Sequence, residues 1–198
     1  MFDYKESDCQ AIELYNNRRK QDSPTRLQVK MGAAPFDGDP FAAKVVLLLN
    51  NPTYTPDSVP EDHKLKFEDW PLAGLHPSVR EGFRQWYSRP LGFLIRKFGA
   101  KSVSQRVAIV QIVPWASRSF DLACVLPSRE RQVKIAKEAV QRGSIVIIGR
   151  SIPFWSGRLG EAGNIYKATN VRNPAISPSG LRMEEKVFDT LFSKALLG

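Results

Sequence analysis

Asparagine side chains follow two segments of this chain that are predicted to be strands. Asn50 and Asn51 come directly after the apolar run 45–49, and Asn173 follows the more polar segment 165–170. An asparagine amide can orient a water molecule or donate its N–H groups to a carbonyl oxygen, but it does not take up a proton near neutral pH. These positions therefore predict chemistry by positioning and hydrogen bonding, without a strong general base. The alternative for Asn51 is an ordinary turn, because Asn-Pro is a common turn signal.

Four segments with short apolar runs are predicted to form the strands that position these side chains. They lie near 44–49, 107–113, 144–149 and 165–170. Helical patterns separate them, which predicts a three-layer α/β/α sandwich around a mostly parallel four-stranded central sheet. In open sheets of this kind the ligand crevice lies beyond the carboxyl ends of the strands. Asn51 and Asn173 would then stand at the same edge of the sheet.

The helical segments carry recognisable start and stop signals. Helices are predicted at 7–20, 79–87, 129–142 and 183–196. The first would open with a capping box of Ser7 and Gln10, the second with one of Ser78 and Glu81, and the third with Ser128 as its cap. Pro90 is expected to break the second helix, with its apolar face continuing to residue 98.

The charge balance of the chain indicates a polyanionic partner. Lys and Arg number 29 against 20 Asp and Glu, which gives a formal net charge of +9. Nucleic acid is the first expectation for so basic a domain and an acidic membrane surface the second, and a generic basic enzyme is the alternative. Arginines near the two asparagine loops are predicted to bind DNA: Arg118, Arg150, Arg172 and Arg182.

Several other functional classes find no support in the sequence. Cys9 and Cys124 fit no metal spacing, so we expect free thiols in a reducing, cytoplasmic compartment and no bound metal. No G-x-G-x-x-G or Walker-type loop follows a strand, and we expect no cofactor. No apolar run reaches the length of a membrane span, which predicts no membrane partner. We expect a monomer with one domain over 1–198, in which residues 1–40 form a helix and loop packed on the rest.

The two asparagine loops together resemble the uracil-DNA glycosylase superfamily. Members of that superfamily carry a motif G-x-[ND]-P after the first strand and a second motif, such as H-P-S-P-L-S or N-P-S-G-L-S, after the last. The run Leu49-Asn50-Asn51-Pro52 is similar to the first motif, with Leu49 in place of the usual glycine and Asn51 in the Asn/Asp position. The pair Asn173-Pro174 begins a longer form of the second motif, closest to the asparagine form of the mismatch-specific branch. The resemblance covers roughly residues 40–195 through the order of the predicted elements.

This resemblance implies a DNA glycosylase that hydrolyses the N-glycosidic bond of uracil or another modified base. The base would be flipped out of the DNA into a pocket at the carboxyl ends of the strands. Asn51 would hold the attacking water, and Asn173 would donate to a base carbonyl. Gln111 lies only near the place of the strand-end asparagine that reads the base in several branches. The residues expected to contact substrate are Asn50, Tyr54, Gln111, Trp115, Ile176, Ser177 and Leu181.

Two of these residues, Ile176 and Leu181, are candidate wedges that would fill the gap left by a flipped base. Leu181 has the alternative of being the first buried residue of the last helix. Tyr54 and Trp115 could stack on a base or serve ordinary structural roles.

Two other functions remain open at this stage. One is a nucleic-acid-binding protein of the same fold without catalysis, because an acid and a histidine are both missing from the motifs. The other is a small-molecule hydrolase of the nucleoside type, which would bind in a closed pocket with little dependence on salt.

Overall fold

The computed structural model describes residues 2–198, apart from the side chain of His63. Its strands are β1 (Phe36–Asp37), β2 (Val45–Leu49), β3 (Val107–Gln111), β4 (Ile145–Ile148) and β5 (Ile165–Lys167). Its α-helices are α1 (Tyr4–Asn17), α2 (Glu81–Phe98), α3 (Ala100–Arg106), α4 (Ser128–Gln141), α5 (Ile152–Leu159), α6 (Pro178–Leu181) and α7 (Glu185–Leu197). Short 3-10 helices occur at Val29–Met31, Pro60–Lys64 and Ala73–Leu75.

The strands form one mixed sheet of five strands in the order β1-β3-β2-β4-β5. All four predicted strand segments are confirmed, and neighbours among them run parallel. The predicted count of four strands is wrong, because β1 adds an antiparallel edge with Phe36 opposite Val110 and Asp37 opposite Ile109. A two-residue strand has no periodicity of its own, so its pairing to β3 could not be seen in the sequence.

Helices cover both faces of the sheet, and the alternation of side chains along β2 divides the core in two. Val46 and Leu48 face the core formed with α1, α4 and α5. Val45, Leu47 and Leu49 face the core formed with α2, α3 and α7. The α/β class predicted from the alternating pattern is therefore confirmed.

Helix α2 runs through Pro90, where a break had been predicted. An internal proline removes one hydrogen bond and costs about 3 kcal/mol in an isolated helix. Here Leu91 and Leu94 are fully buried against the sheet, and the carbonyl oxygen of Pro90 accepts from the backbone of Ile176 at 2.9 Å. Packing along the whole length of α2 therefore outweighs the local penalty.

The capping residues also differ from the prediction. Asp3, in place of Ser7, caps α1 by accepting from two backbone N–H groups of the first turn. Ser128 is the first residue of α4, and its N–H and hydroxyl both donate to the buried carboxylate of Asp8 at 2.9 and 2.6 Å. Ser78 does not cap α2, because it is engaged with the His76 ring at 2.6 Å. Thus α1 is capped by the residue directly before it, α2 has no side-chain cap, and only the start of α4 is held by an acceptor from a distant segment.

Two further predictions concern the cysteines and membrane-spanning helices. Cys9 is an exposed and Cys124 a buried free thiol, as expected. Within residues 2–198, none of the helices combines the length and apolar character that a membrane crossing requires.

Candidate functional site

A cavity of about 220 Å³ lies between the sheet and α2, at the carboxyl ends of β2 and β3. This is the edge at which ligand crevices form in open α/β sheets. Its lining residues come from β1, β3, α2 and the loop after β2: Asp37, Pro52, Thr53, Thr55, Asp57, Ser58, Asp62, Arg80, Gly82, Phe83, Trp86, Tyr87 and Gln111.

Gln111, the last residue of β3, places an amide in this cavity. The residue is 1% exposed, and its Oε1 is buried without a hydrogen-bond partner. Its backbone is fixed, because its N–H donates to Pro35 O at 3.0 Å and its carbonyl accepts from Gln132 Nε2 at 2.8 Å. An unpaired buried polar group costs about 1–3 kcal/mol. The amide is therefore held in a position where a ligand could supply the missing partner.

Asp37 places a carboxyl group beside this amide. Asp37 is paired with Ile109, so its side chain shares a face of the sheet with Gln111, two residues further along β3. Such diagonal neighbours lie roughly 7–8 Å apart. Asp37 is half-buried, and the removal of its carboxyl group from water raises its pKa to about 6, although the Tyr87 hydroxyl acts in the opposite direction. The cavity thus holds a carboxyl group that titrates close to neutral pH.

The position of Asp37 depends on the residue that follows it. Gly38 has a φ of +81°, and a Cβ at this position would lie 2.7 Å from the carbonyl oxygen of Val107. Only glycine lets β1 turn away this close to β3. The chain can then leave the sheet immediately after Asp37.

Aromatic side chains of α2 form one wall of the cavity. Tyr87 packs edge to face against Phe83 and Trp86, with ring centroids 5.5 and 4.8 Å away. The Tyr87 ring is buried against Gly74, where a Cβ would lie 2.0 Å from Tyr87 Cε2. This wall offers flat apolar surface beside the two polar groups on the sheet.

An ion pair stands at the mouth of the cavity. Arg80, just before α2, pairs with Asp62 and donates to the carbonyl oxygen of Asp57 at 3.1 Å. These contacts attach the long loop after β2 to the start of α2. The mouth therefore has a defined shape, and it carries two carboxylates and one guanidinium.

Asn50 and Asn51 lie beside this cavity, outside its lining. The Asn51 Nδ2 donates to Pro52 O at 3.0 Å and to Ser117 Oγ at 2.9 Å. Its Oδ1 is then the amide atom available to accept from a water molecule. Asn50 Oδ1 accepts from Ser151 Oγ at 2.8 Å, across the carboxyl edge of the sheet.

Asn173 is exposed on the loop after β5, where its backbone N–H donates to Asn170 Oδ1 at 3.1 Å. Strand β4 lies between β2 and β5, so the axes of the strands that precede Asn51 and Asn173 are roughly 10 Å apart. Asn173 is not among the residues that line the cavity. The two asparagines share an edge of the sheet, as predicted, but the cavity lies on the opposite side of β2 from Asn173.

The other residues expected to contact substrate have mixed placements. Trp115 is in the core, and its indole N–H donates to Asp8 at 2.8 Å. Ile176 and Leu181 are buried in the core beneath α2 and α7, in contrast to the exposed position that a wedge requires. Ser177 caps α6 by accepting from Gly180 N at 3.0 Å, and Tyr54 is half-buried. Only Gln111 of this group lines the cavity.

The four arginines predicted to bind DNA lie on loops around the carboxyl edge. Arg150 is half-buried and donates to the carbonyl oxygen of Arg172 at 3.0 Å, which joins the loops after β4 and β5. Burial lowers the pKa of Arg150. Arg118 follows Ser117, the partner of Asn51, and Arg182 is exposed with a left-handed φ of +50°.

Asp37 and the aromatic residues that line the cavity were not predicted from the sequence. Asp37 stands in a loop-like run rich in glycine and proline, and its Asp-Gly pair signals only a turn. Phe83, Trp86 and Tyr87 could have been found from their spacing on one face of a helix. That spacing does not say whether such a face is filled by core or by a cavity.

Among the described residues, no group of three or more His, Cys, Asp or Glu side chains could hold a metal ion. The chain matched no protein-family model, no curated protein and no solved structure.

Proposed function

We propose that this protein is a DNA glycosylase that hydrolyses the N-glycosidic bond of uracil or another modified base. The cavity that contains Gln111 carries this proposal. An unpaired amide beside a flat aromatic wall can read the edge of a nucleobase while the wall contacts its face. A flipped base would enter this cavity at the carboxyl ends of β2 and β3.

In this proposal Gln111 reads the base, and Asn51 holds the water that attacks the sugar. The Asn51 amide is fixed by its two hydrogen bonds to the neighbouring loop, which leaves its oxygen to orient a water molecule. Precise positioning of water by a rigid group is a recognised part of catalysis in hydrolytic sites. Asn173, Arg150 and Arg172 are assigned to the DNA strand that leads to the mouth of the cavity.

The test is single-turnover release of uracil and of other modified bases from a labelled oligonucleotide. Gln111→Met keeps the length of the side chain and removes its amide. Because an unpaired buried group is removed, the variant should be more stable by about 1 kcal/mol, while base release falls by a factor of about 100 or more. If Gln111 does not contact the base, the gain in stability should be the same and the rate of base release should be unchanged.

Asn51→Ala tests the water-holding role separately. The rate of base release should fall with little change in DNA affinity, since the water is needed in the transition state. Thr190→Ala, which removes an exposed hydroxyl on α7 that donates only to the carbonyl oxygen of Lys186, is the control and should keep the full rate. If wild-type protein binds DNA and releases no base, the glycosylase proposal fails and a binding protein remains.

A second candidate is a hydrolase of free nucleosides, and the acidic mouth of the cavity favours it. Asp57 and Asp62 line the entrance, where they would repel a DNA phosphate but not an uncharged nucleoside. Release of base from nucleosides at a rate independent of salt, with none from oligonucleotides, would decide for this candidate.

A further inference from the structure

The carboxyl group of Asp37 stands in the cavity without a cationic partner. No ion pair among the described residues includes it, although the cavity lining contains both Asp37 and Arg80. A carboxylate that is partly removed from water and has no cationic partner is unfavourable, and such a group binds its proton more tightly. Asp37 is therefore a proton donor directed into a cavity that we assign to a nucleobase.

The groups that face Asp37 come from two neighbouring parts of the fold. Tyr87 of α2 lies against the carboxyl group, and its hydroxyl favours the ionised form and so acts to lower the pKa of Asp37. Asp57 and Asp62 line the same cavity, from the segment after β2. Arg80 would favour ionisation, but it is engaged by Asp62.

We propose that Asp37 is the general acid that protonates the departing base, an inference that rests on the proposed function. As the bond between C1′ of the sugar and the ring nitrogen breaks, its electron pair moves onto the base. The Asp37 carboxyl group gives its proton to the base, which leaves neutral. Water adds to C1′ and becomes the new hydroxyl group, and the proton that this water loses restores the acid through solvent. Atoms and charge balance as a hydrolysis.

This role accounts for two features of the chain. The asparagines of the loops do not exchange protons near neutral pH, so the acid has to come from elsewhere in the site. A pKa of about 6 for Asp37 keeps a useful fraction of the acid protonated near neutral pH, which is where general acids are most effective.

The test compares Asp37→Asn with wild type on one oligonucleotide that carries either uracil or 5-fluorouracil. Fluorine withdraws electrons, so 5-fluorouracil can leave as an anion with less need for a proton. We expect a loss of about 100-fold on uracil and less than about 10-fold on 5-fluorouracil. Asp69→Asn removes an exposed carboxylate that is paired with Lys101 and is not part of the cavity lining, and should change neither rate.

The pH profile gives a second readout that a structural role would not produce. Wild-type base release should fall as pH rises above 6, because the acid loses its proton, and Asp37→Asn should show no such fall. In Tyr87→Phe the ionised carboxylate loses a hydrogen-bond donor, so the pKa of Asp37 rises and the fall should move to higher pH. This variant still decides the question if Asp37→Asn does not fold.

The outcomes separate this inference from the proposed function. If wild type releases neither base, the glycosylase proposal fails and the role of Asp37 fails with it. If wild type releases base while Asp37→Asn matches its rate, leaving-group dependence and pH profile, only the general-acid role is overturned. The general-acid role is also overturned if, in Tyr87→Phe, the rate of base release falls at the same pH as in wild type or at a lower pH.

Discussion

Asp37 should lower the stability of the folded protein at neutral pH, so Asp37→Asn should raise it. Burial raises the pKa of this carboxyl group from 3.8 to about 6, a shift of about two units. Each unit corresponds to about 1.4 kcal/mol, so full ionisation costs the folded state up to about 3 kcal/mol. The penalty is absent well below pH 4, where the carboxyl group is protonated in both states. It grows as pH rises, because Asp37 ionises in the unfolded chain before it ionises in the folded protein, and it is complete above about pH 7. Asparagine has nearly the same shape and carries no such penalty.

Urea unfolding of wild type and Asp37→Asn at pH 4.5 and pH 8 would measure this difference. The stability advantage of Asp37→Asn should be about 1 kcal/mol at pH 4.5 and about 3 kcal/mol at pH 8. With a typical urea m-value of about 2 kcal/mol per molar, the difference between the urea midpoints of Asp37→Asn and wild type should be about 1 M larger at pH 8 than at pH 4.5. Asp69→Asn, at an exposed site, should show no such dependence. An advantage of Asp37→Asn that is the same at both pH values would refute a raised pKa for Asp37.

Three further predictions concern the core, the cavity wall and the charged edge. Asp8→Ala removes the acceptor of three buried donors, among them the indole of Trp115, and should lower the free energy of unfolding by at least about 3 kcal/mol in urea. Gly74→Ala would push a methyl group into the Tyr87 ring; we expect a loss of about 1–3 kcal/mol in urea and weaker base release. Arg172→Ala should weaken binding to DNA at all sequences and lower the slope of log affinity against log salt by about one; an unchanged slope would remove this loop from the DNA interface.

The sequence by itself determined the parallel part of the sheet and the class of the fold. The run Val45–Leu49 is apolar at every position, which is typical of a strand covered on both faces, and the structure buries all five of its residues. The helical stripes between the strands had to cover those faces. These patterns are local, so they can be seen without knowing how the chain folds.

The sequence also placed Gln111 near the end of a strand, but it could not assign that amide to a cavity. The assignment depends on α2, which keeps its helical form through Pro90 and brings the Tyr87 ring over the sheet. Local propensity predicts a break at Pro90. Burial of Leu91 and Leu94 reverses that preference, and burial is a property of the folded chain.

Only the tertiary structure decided that a carboxyl group belongs to the candidate site. Asp37 lies more than seventy positions from Gln111 in the chain, in a segment with the composition of a turn. The two come together because Phe36–Asp37 pairs with β3, and Gly38 then lets the chain turn away. The raised pKa of Asp37 has the same origin, since the burial that raises it comes from contacts between distant segments. Periodicity encodes which faces of each element are buried, whereas the chemistry of a cavity depends on which elements the folded chain places side by side.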